Sequence, residues 1–178
     1  MAAKVVAIIP ARWGSTRFPG KPLHPIAGKP LIQHVWERCR RAKAVDAVVV
    51  ATDDMRIAEA AFNFGARVTL TSPKHRTGTD RVAEVAGKLR GVTHVINVQG
   101  DEPLVDPALI SRLARALIAE KRLEMITAAT VFGSEAEVAN PNAVKVVLDR
   151  DSNALYFSRS PIPFVRDVAQ ASSLQSRT

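Results

Sequence analysis

The sequence contains little cysteine, few aromatic residues and no long apolar run. One cysteine, Cys39, among 178 residues excludes an internal disulfide and a cysteine-based metal cluster, and it favours a reducing compartment. Aromatic residues make up 5% of the chain, which argues against a stacking platform for single-stranded nucleic acid. No stretch approaches the roughly 18 apolar residues that cross a bilayer, and residues 1–9 lack the features of a secretory signal peptide. These absences predict a cytoplasmic protein without membrane insertion.

The composition is otherwise that of a folded and basic protein. Hydrophobic residues account for 47% of the chain and charged residues for 24%, which suits one domain with a core. The formal net charge is +8, but the basic residues are scattered in short groups, and loops that bind a nucleotide triphosphate also need cations. A basic nucleic-acid binder would show a steeply salt-dependent affinity for DNA or RNA. Because the sequence contains neither a basic helix nor an aromatic platform, no nucleic-acid partner is predicted.

Short apolar runs alternate with helical patterns through most of the chain. Continuous runs predict buried strands at Val5–Ile9, Val45–Thr52, Arg67–Leu70 and His94–Val98. Helical periodicity predicts helices from Pro30 to Lys43, from an Asp53 cap to Phe64, from a Thr79 or Asp80 cap to Gly91, and from Asp106 onward. Met125–Phe132 predicts another strand, and Val144–Leu148 with Ala154–Ser158 predicts a hairpin at the edge of the sheet. The alternation predicts an α/β fold, doubly wound, with a mostly parallel (mixed) sheet and helices on both faces.

A polar loop at residues 10–23 follows the first predicted strand. It contains two arginines, a lysine, two glycines and two hydroxyl side chains, and no carboxylate that could pair with Lys21. Its backbone N–H groups could converge on an anion, to which Arg12, Arg17 and Lys21 would add positive charge. The spacing is neither that of a Walker loop nor that of a dinucleotide fingerprint. A solvated basic surface loop explains these residues as well as an anion site does.

Two further polar loops, at residues 71–80 and 99–103, are expected at the same carboxyl edge of the sheet, where open α/β sheets bind ligands. The second of these loops offers Asp101 and Glu102 directly after a buried strand. Proteins commonly hold Mg²⁺ by one or two carboxylates together with phosphate oxygens, and a metal beside Arg and Lys suits nucleotidyl transfer. A loop-solvating or helix-capping carboxylate is the alternative for Asp101, although Asp106 is the better cap.

Four motifs in this order resemble those of a known family. They are Pro10-Ala-Arg-x-x-Ser-Thr-Arg-x-Pro-Gly-Lys-Pro-Leu23, His75-x-Thr-Gly-Thr-Asp-Arg81, Asn97-Val-Gln-Gly-Asp-Glu-Pro103, and Asn140-Pro-Asn-x-Val-Lys-Val-Val147 leading to Tyr156-Phe-Ser-Arg159. The first motif resembles the signature of sugar-activating cytidylyltransferases. Together the motifs are similar to the 3-deoxy-manno-octulosonate (Kdo) cytidylyltransferases, also called CMP-Kdo synthetases. The resemblance covers nearly all of residues 4–165. Sialic-acid cytidylyltransferases resemble the first motif, but the last two favour Kdo.

The resemblance implies a fold of the nucleotide-diphospho-sugar transferase type and an enzyme that transfers CMP from CTP to Kdo, with Mg²⁺ as cofactor and release of pyrophosphate, in lipopolysaccharide precursor synthesis. It implies catalytic roles for Arg12, Lys21 and Asp101, with Asp101 as the metal ligand. Nucleotide contacts are implied at Ala11, Arg12, Ser15, Thr16, Lys21, Thr77, Gly78, Thr79 and Gln99. Substrate contacts are implied at Gln99, Asn142 and Arg159, where the Arg159 guanidinium would face the sugar-acid carboxylate. A surface charge on an edge strand is the alternative for Arg159.

The family continues beyond the end of this chain, where its later segment supplies a second metal-binding aspartate, more of the sugar site and much of a dimer contact. Residues 1–165 are therefore expected to form a nucleotide-binding α/β domain that is incomplete relative to the family. Residues 166–178 are expected to be a disordered or non-native tail. Two rival functions stay open: a cytidylyltransferase for another acidic sugar such as sialic acid, and a truncated CTP-binding remnant without turnover. The family also implies a homodimer.

Overall fold

A computed structural model describes residues 3–14 and 18–164 and separates the chain into two units, Met1–Thr127 and Ala128–Thr178. The predicted tail at 166–178 lies outside the described residues, as do Ser15, Thr16 and Arg17. The elements of the first unit are, in chain order, β1 (Val5–Ala11), a 3-10 turn (Lys21–Leu23), β2 (Pro25–Ile26), β3 (Lys29–Pro30), α1 (Leu31–Arg40), β4 (Ala47–Thr52), α2 (Met55–Asn63), β5 (Arg67–Leu70), α3 (Gly78–Lys88), β6 (His94–Asn97) and α4 (Pro107–Ala119).

The first apolar run forms a central strand of a parallel sheet. Every residue of β1 is buried, as expected of a strand that is covered on both faces. β1 pairs in parallel with β4 on one side and with β6 on the other, and β4 pairs in parallel with β5. The strand order is therefore β5-β4-β1-β6, and the loops that follow β1, β4 and β6 leave the sheet side by side at its carboxyl edge.

Helices cover both faces of this sheet, which confirms the predicted doubly wound α/β fold. Successive residues of a strand point to opposite faces, so that Ala7 and Ile9 belong to one core and Val6 and Ile8 to the other. The first core includes buried residues of α1, α2 and α4, namely Ile32, Val35, Cys39, Ile57, Ala61 and Ile110. The second includes Val82 and Val85 of α3. Burial raises the pKa of the Cys39 thiol to about 12, so this cysteine stays protonated and serves as a packing residue.

Two helices start at residues other than those predicted. Asp54, and not Asp53, caps α2: its Oδ1 accepts a hydrogen bond from the Arg56 N–H at 2.9 Å. Thr77 caps α3, since its Oγ1 accepts from the Asp80 N–H while the Asp80 carboxylate accepts from the Thr77 N–H, both at 3.1 Å. The predicted caps at Thr79 or Asp80 are wrong because Asp80 is the acidic third residue of a capping box.

The second unit contains α5 (Glu135–Ala139), β7 (Lys145–Leu148) and β8 (Ala154–Ser158). The last two form the predicted antiparallel hairpin, but within the described part of the chain they pair only with each other and not with the four-stranded sheet. The strand predicted at Met125–Phe132 is wrong. A strand needs a neighbour for its backbone N–H and C=O groups, and these residues have no such partner among those described. No helix in the same ranges has the length and apolarity needed to span a bilayer.

Candidate functional site

The loop after β1 and the loop after β6 meet through an ion pair. Lys21 Nζ donates to Asp101 Oδ2 at 2.6 Å, and the two side chains remain 40% and 51% exposed. The prediction that Lys21 has no nearby carboxylate is wrong, because Asp101, which is 80 residues further along the chain, lies next to it in the fold. At this exposure the pair stabilises the fold by only about 0.2–1 kcal/mol. Both charges therefore stay accessible to a ligand at small energetic cost.

At the carboxyl edge of the sheet, the loop after β6 and the first turn of α3 both pack closely against Pro10 of β1. A Cβ at Gly100 would lie 2.7 Å from the Pro10 carbonyl oxygen, so only glycine lets the loop after β6 approach the end of β1 this closely. A Cβ at Gly78 would lie 3.2 Å from the Pro10 ring and 3.8 Å from Gln99 Oε1. The first turn of α3 thus lies beside both Pro10 and Gln99. No role was predicted for Gly100, although a glycine shortly after a strand is a signal of such a close approach.

Several predicted nucleotide contacts lie on these segments. Ala11 is buried at the end of β1, and Arg12 follows it as an exposed residue that forms no ion pair with any other described residue. Thr79 is exposed in the first turn of α3, while the Thr77 oxygen is occupied by its capping bond. The Gln99 side chain donates to Asn97 Oδ1 at 3.1 Å, which fixes its amide. Ser15 and Thr16 lie outside the described residues.

A buried arginine for which no role was predicted fixes α3 to the sheet. The Arg81 side chain is 3% exposed, pairs with Asp53 Oδ2 at 3.1 Å and donates a hydrogen bond to Thr71 Oγ1. These partners follow β4 and β5, so Arg81 ties the start of α3 to the ends of two strands. Burying such a charge is tolerated only because it is paired and hydrogen-bonded. The sequence signal for this role is the Asp80-Arg81 pair at the end of the second motif.

The loop at 71–80 is also fixed by Glu84 of α3. Hydrogen bonds lower the pKa of the Glu84 carboxyl to about 2; the strongest contribution is from Lys88, followed by the Ser72 N–H and His75. The His75 ring nitrogen lies 2.5 Å from Glu84 Oε2, and its side chain is only partly exposed. His75 is therefore hydrogen-bonded to α3 and is not a freely solvated loop residue.

In the second unit, Asn142 and Arg159 are brought to the same turn. The Arg159 guanidinium donates to the Pro141 carbonyl at 3.1 Å. Lys145 is 3% exposed and donates to the carbonyls of Asn140, Ala143 and Arg159 at 2.7, 2.9 and 2.8 Å. All three of its ammonium protons are thus used to join the turn to the backbone of Arg159. No role was predicted for Lys145, although it lies within the fourth motif.

Carboxylates are sparse at this site. No group of three or more His, Cys, Asp or Glu side chains that could hold a metal is found within residues 3–14 and 18–164. Asp101, followed by the exposed Glu102, is the carboxylate that the structure places beside a cation of the loop after β1. A metal at this position would thus need oxygen ligands from a bound anion or from water in addition.

Comparison with known proteins agrees with the four motifs. A family model described as cytidylyltransferase matches residues 6–177. Relatives named 3-deoxy-manno-octulosonate cytidylyltransferase include those of Geobacter metallireducens, 53% identical over 92% of this chain and 64% of its own length, and Syntrophobacter fumaroxidans, 54% identical over 93% and 67%. The chain thus spans about two thirds of the length of these curated relatives.

Solved structures agree as well. One described as CMP:2-keto-3-deoxy-manno-octonic acid synthetase complexed with CTP is 44% identical, has a TM-score of 0.83 and is matched over 93% of this chain and 68% of its own. A cytidylyltransferase from Leptospira borgpetersenii is 26% identical with a TM-score of 0.61, matched over 68% of this chain and 51% of its own. The resemblance to Kdo cytidylyltransferases is confirmed, and the chain belongs to the cytidylyltransferase family.

Proposed function

We propose that the chain carries the nucleotide-binding part of an enzyme that transfers CMP from CTP to Kdo and releases pyrophosphate. The observation that carries this proposal is the Lys21–Asp101 pair, which places a cation and a carboxylate 2.6 Å apart where β1 and β6 end. The Lys21 ammonium could bind a triphosphate, and the Asp101 carboxylate could bind a divalent cation. The names of the curated relatives, and the CTP complex of the similar structure, support CTP and Kdo as substrates. None of those names supports the alternative of sialic acid.

The residues of the first unit would bind the triphosphate. Arg12 and Lys21 supply full positive charges, and the exposed first turn of α3, with Gly78 and Thr79, supplies backbone N–H groups for the nucleotide. Ala11, Thr77 and Gln99 would border the nucleotide, and Ser15 and Thr16 are retained as predicted contacts. In the reaction the anomeric oxygen of the sugar bonds to the α-phosphorus, the bond from that phosphorus to the pyrophosphate oxygen breaks, and the hydroxyl proton passes to solvent. Fixed cations that stabilise the charge on these oxygens lower the barrier.

Mg²⁺ fits Asp101. The carboxylate is half exposed at the sheet edge, and a single carboxylate suits a cation that keeps several waters and takes further oxygens from phosphate. The bound ion would neutralise charge on the triphosphate. When CTP and Mg²⁺ arrive, Lys21 would move its donation from Asp101 to a phosphate oxygen. Asn142 and Arg159 would contact the sugar acid, since a guanidinium can bind a carboxylate through two parallel hydrogen bonds. The homodimer and the cytoplasmic location are retained as predictions.

The proposal is tested by calorimetric titration with CTP and Mg²⁺, followed by pyrophosphate release with Kdo or with sialic acid. We expect CTP binding and release of pyrophosphate with Kdo alone. A folded sample that binds no CTP would contradict the nucleotide site, and turnover with sialic acid but not Kdo would contradict the substrate. CTP binding without turnover would favour the remnant.

A further inference from the structure

The indole of Trp13 is close to both a guanidinium and a glycine. The Arg56 guanidinium carbon lies 3.4 Å from the centroid of the Trp13 ring. Gly20 borders the ring as well, since a Cβ built there would come within 2.9 Å of a Trp13 ring carbon. Gly20 also has a φ of +71° and donates its N–H to the Trp13 carbonyl at 3.1 Å. Only glycine tolerates both this backbone conformation and this proximity to the ring.

Arg56 does not reach the indole as a free surface side chain. Its guanidinium donates twice to Asp54, from Nε to Oδ1 at 2.9 Å and from Nη2 to Oδ2 at 2.6 Å. The same Asp54 caps α2, and its own N–H donates to Thr52 Oγ1 at the end of β4. The Asp54–Arg56 pair is therefore built on the end of β4 and the first turn of α2, and it presents a planar cation at a fixed place.

The stack connects directly to the two cations of the loop after β1. Arg12 precedes Trp13 in the chain, and Lys21 follows Gly20. Contacts of the ring with Gly20 and the Gly20–Trp13 hydrogen bond hold together the two ends of the segment between these cations. Residues that follow β4 thereby support a loop that follows β1, and Lys21 in turn contacts Asp101, which follows β6.

We propose that Arg56 and Trp13 are positioning residues for CTP: their stack, together with the bond from the Gly20 N–H to the Trp13 carbonyl, fixes the places of Arg12 and Lys21, the two cations that would bind the triphosphate. This inference rests on the proposed function. It assigns no direct contact with the ligand to Arg56. An arginine that acted only through its charge, or only as part of the surface of α2, would respond differently to the substitutions below.

The stack itself can be tested without any ligand. In a Trp36→Phe background Trp13 is the single tryptophan, and acrylamide quenching of the tryptophan emission reports its exposure. Arg56→Ala uncovers one face of the ring and is expected to raise the quenching constant about twofold. An unchanged constant would show that Arg56 does not cover Trp13 in solution and would overturn the inference.

The positioning role is tested by the dissociation constant for CTP with Mg²⁺, measured by calorimetry on the full chain under conditions in which every variant is folded. Arg56→Ala is expected to raise this constant about two- to fivefold, which corresponds to the 0.5–1 kcal/mol of an exposed cation–π contact. Arg56→Lys keeps the charge but cannot stack or pair bidentately, so it should also raise the constant. A lysine variant with the parental affinity would show that charge alone matters and would refute positioning.

Asp54→Asn distinguishes a purely electrostatic effect from positioning, because the two predict opposite changes in CTP affinity. Asparagine caps helices as well as aspartate does, so α2 is retained while the bidentate pair is lost. Removing a negative charge near a triphosphate would tighten CTP binding if only electrostatics acted, whereas loss of positioning weakens it. We expect weaker binding, and tighter binding would overturn the inference.

The matched control is Arg40→Ala. It removes the guanidinium that lies 5.2 Å from the Trp36 ring on α1 and should leave CTP affinity unchanged. If Arg40→Ala weakens binding as much as Arg56→Ala, the effect is a general loss of charge and the inference fails. A parental chain that is folded but binds no CTP contradicts the proposed function instead, and the quenching experiment then decides the stack alone.

Discussion

Replacing Lys21 by alanine should separate ligand affinity from stability. Lys21 and Asp101 are about half exposed, and exposed ion pairs contribute about 0.2–1 kcal/mol to folding. A charge-assisted hydrogen bond to a phosphate oxygen contributes more, about 1.5–3 kcal/mol. Because each 1.4 kcal/mol corresponds to a tenfold change in affinity, the dissociation constant for CTP should rise roughly 10- to 150-fold. The free energy of unfolding should fall by less than about 1 kcal/mol.

The chain offers a control of the same kind. Lys29 forms an ion pair with Glu37 at 2.7 Å, with side-chain exposures of 45% and 25%. Lys29→Ala removes a lysine of similar exposure from a surface pair that is not part of the proposed site. Its loss of stability should match that of Lys21→Ala, while its CTP affinity should stay at the parental level.

Calorimetry gives the affinities, and urea denaturation gives the stabilities. The reasoning is refuted if Lys21→Ala binds CTP within twofold of the parent. It is refuted equally if Lys29→Ala weakens CTP binding to the same extent, because the loss would then follow net charge and not the position of Lys21.

Four other substitutions test three separate features. Asp101→Asn should shift the Mg²⁺ midpoint of CTP binding to higher concentration and leave metal-free binding unchanged or improved; superimposable metal titrations would contradict Asp101 as a ligand. Gly100→Ala should destabilise the protein by roughly 1–3 kcal/mol in urea denaturation, since the added Cβ meets the Pro10 carbonyl. As the control, Gly87→Ala places a Cβ in open space inside α3 and should stabilise the protein by about 0.5–1 kcal/mol. The Glu84 pKa lies near 2, below its ordinary 4.5, so its contribution to stability is present above about pH 5 and is lost as the pH falls towards 2. Glu84→Gln should therefore show a smaller fall of the urea midpoint between pH 6 and pH 3, and an equal fall would contradict this role.

The parallel sheet could be predicted because its strands carry their own signal. Val5–Ile9 and Val45–Thr52 are continuous apolar runs that form the buried strands β1 and β4, and the helices between the strands force parallel pairing. The burial predicted for Arg67–Leu70 and His94–Val98 is wrong, because β5 and β6 are the outer strands of the described sheet and are only partly buried. Met125–Phe132 has similar composition but forms no strand, because strand formation depends on a partner and not only on propensity. The start of α3 was misplaced for a local reason: Thr77, Thr79 and Asp80 are all good capping residues, and only the hydrogen bonds distinguish them.

The site was predicted in outline but not in its connections. Loop positions follow from strand order, so the meeting of residues 10–23 with 99–103 could be expected. The partner of Lys21 could not, because Asp101 is 80 residues away and no local pattern indicates which charge it contacts. Trp13 and Arg56 were not identified for the same reason, since neither side chain has a role until the ends of β1 and β4 lie side by side.

The order of strands in the sheet has a consequence for the kinetics of folding. β1 and β4 are linked across 41 residues by the bond from the Val5 N–H to Asp46, whereas Lys4 and Thr93, next to the β1–β6 pairing, are 89 residues apart. Closing the longer loop costs more chain entropy, so we expect β6 to join the sheet after β4. Asp101 reaches Lys21 only when β6 is in place. CTP affinity should therefore appear in the last phase of refolding, after most of the helical signal has been recovered.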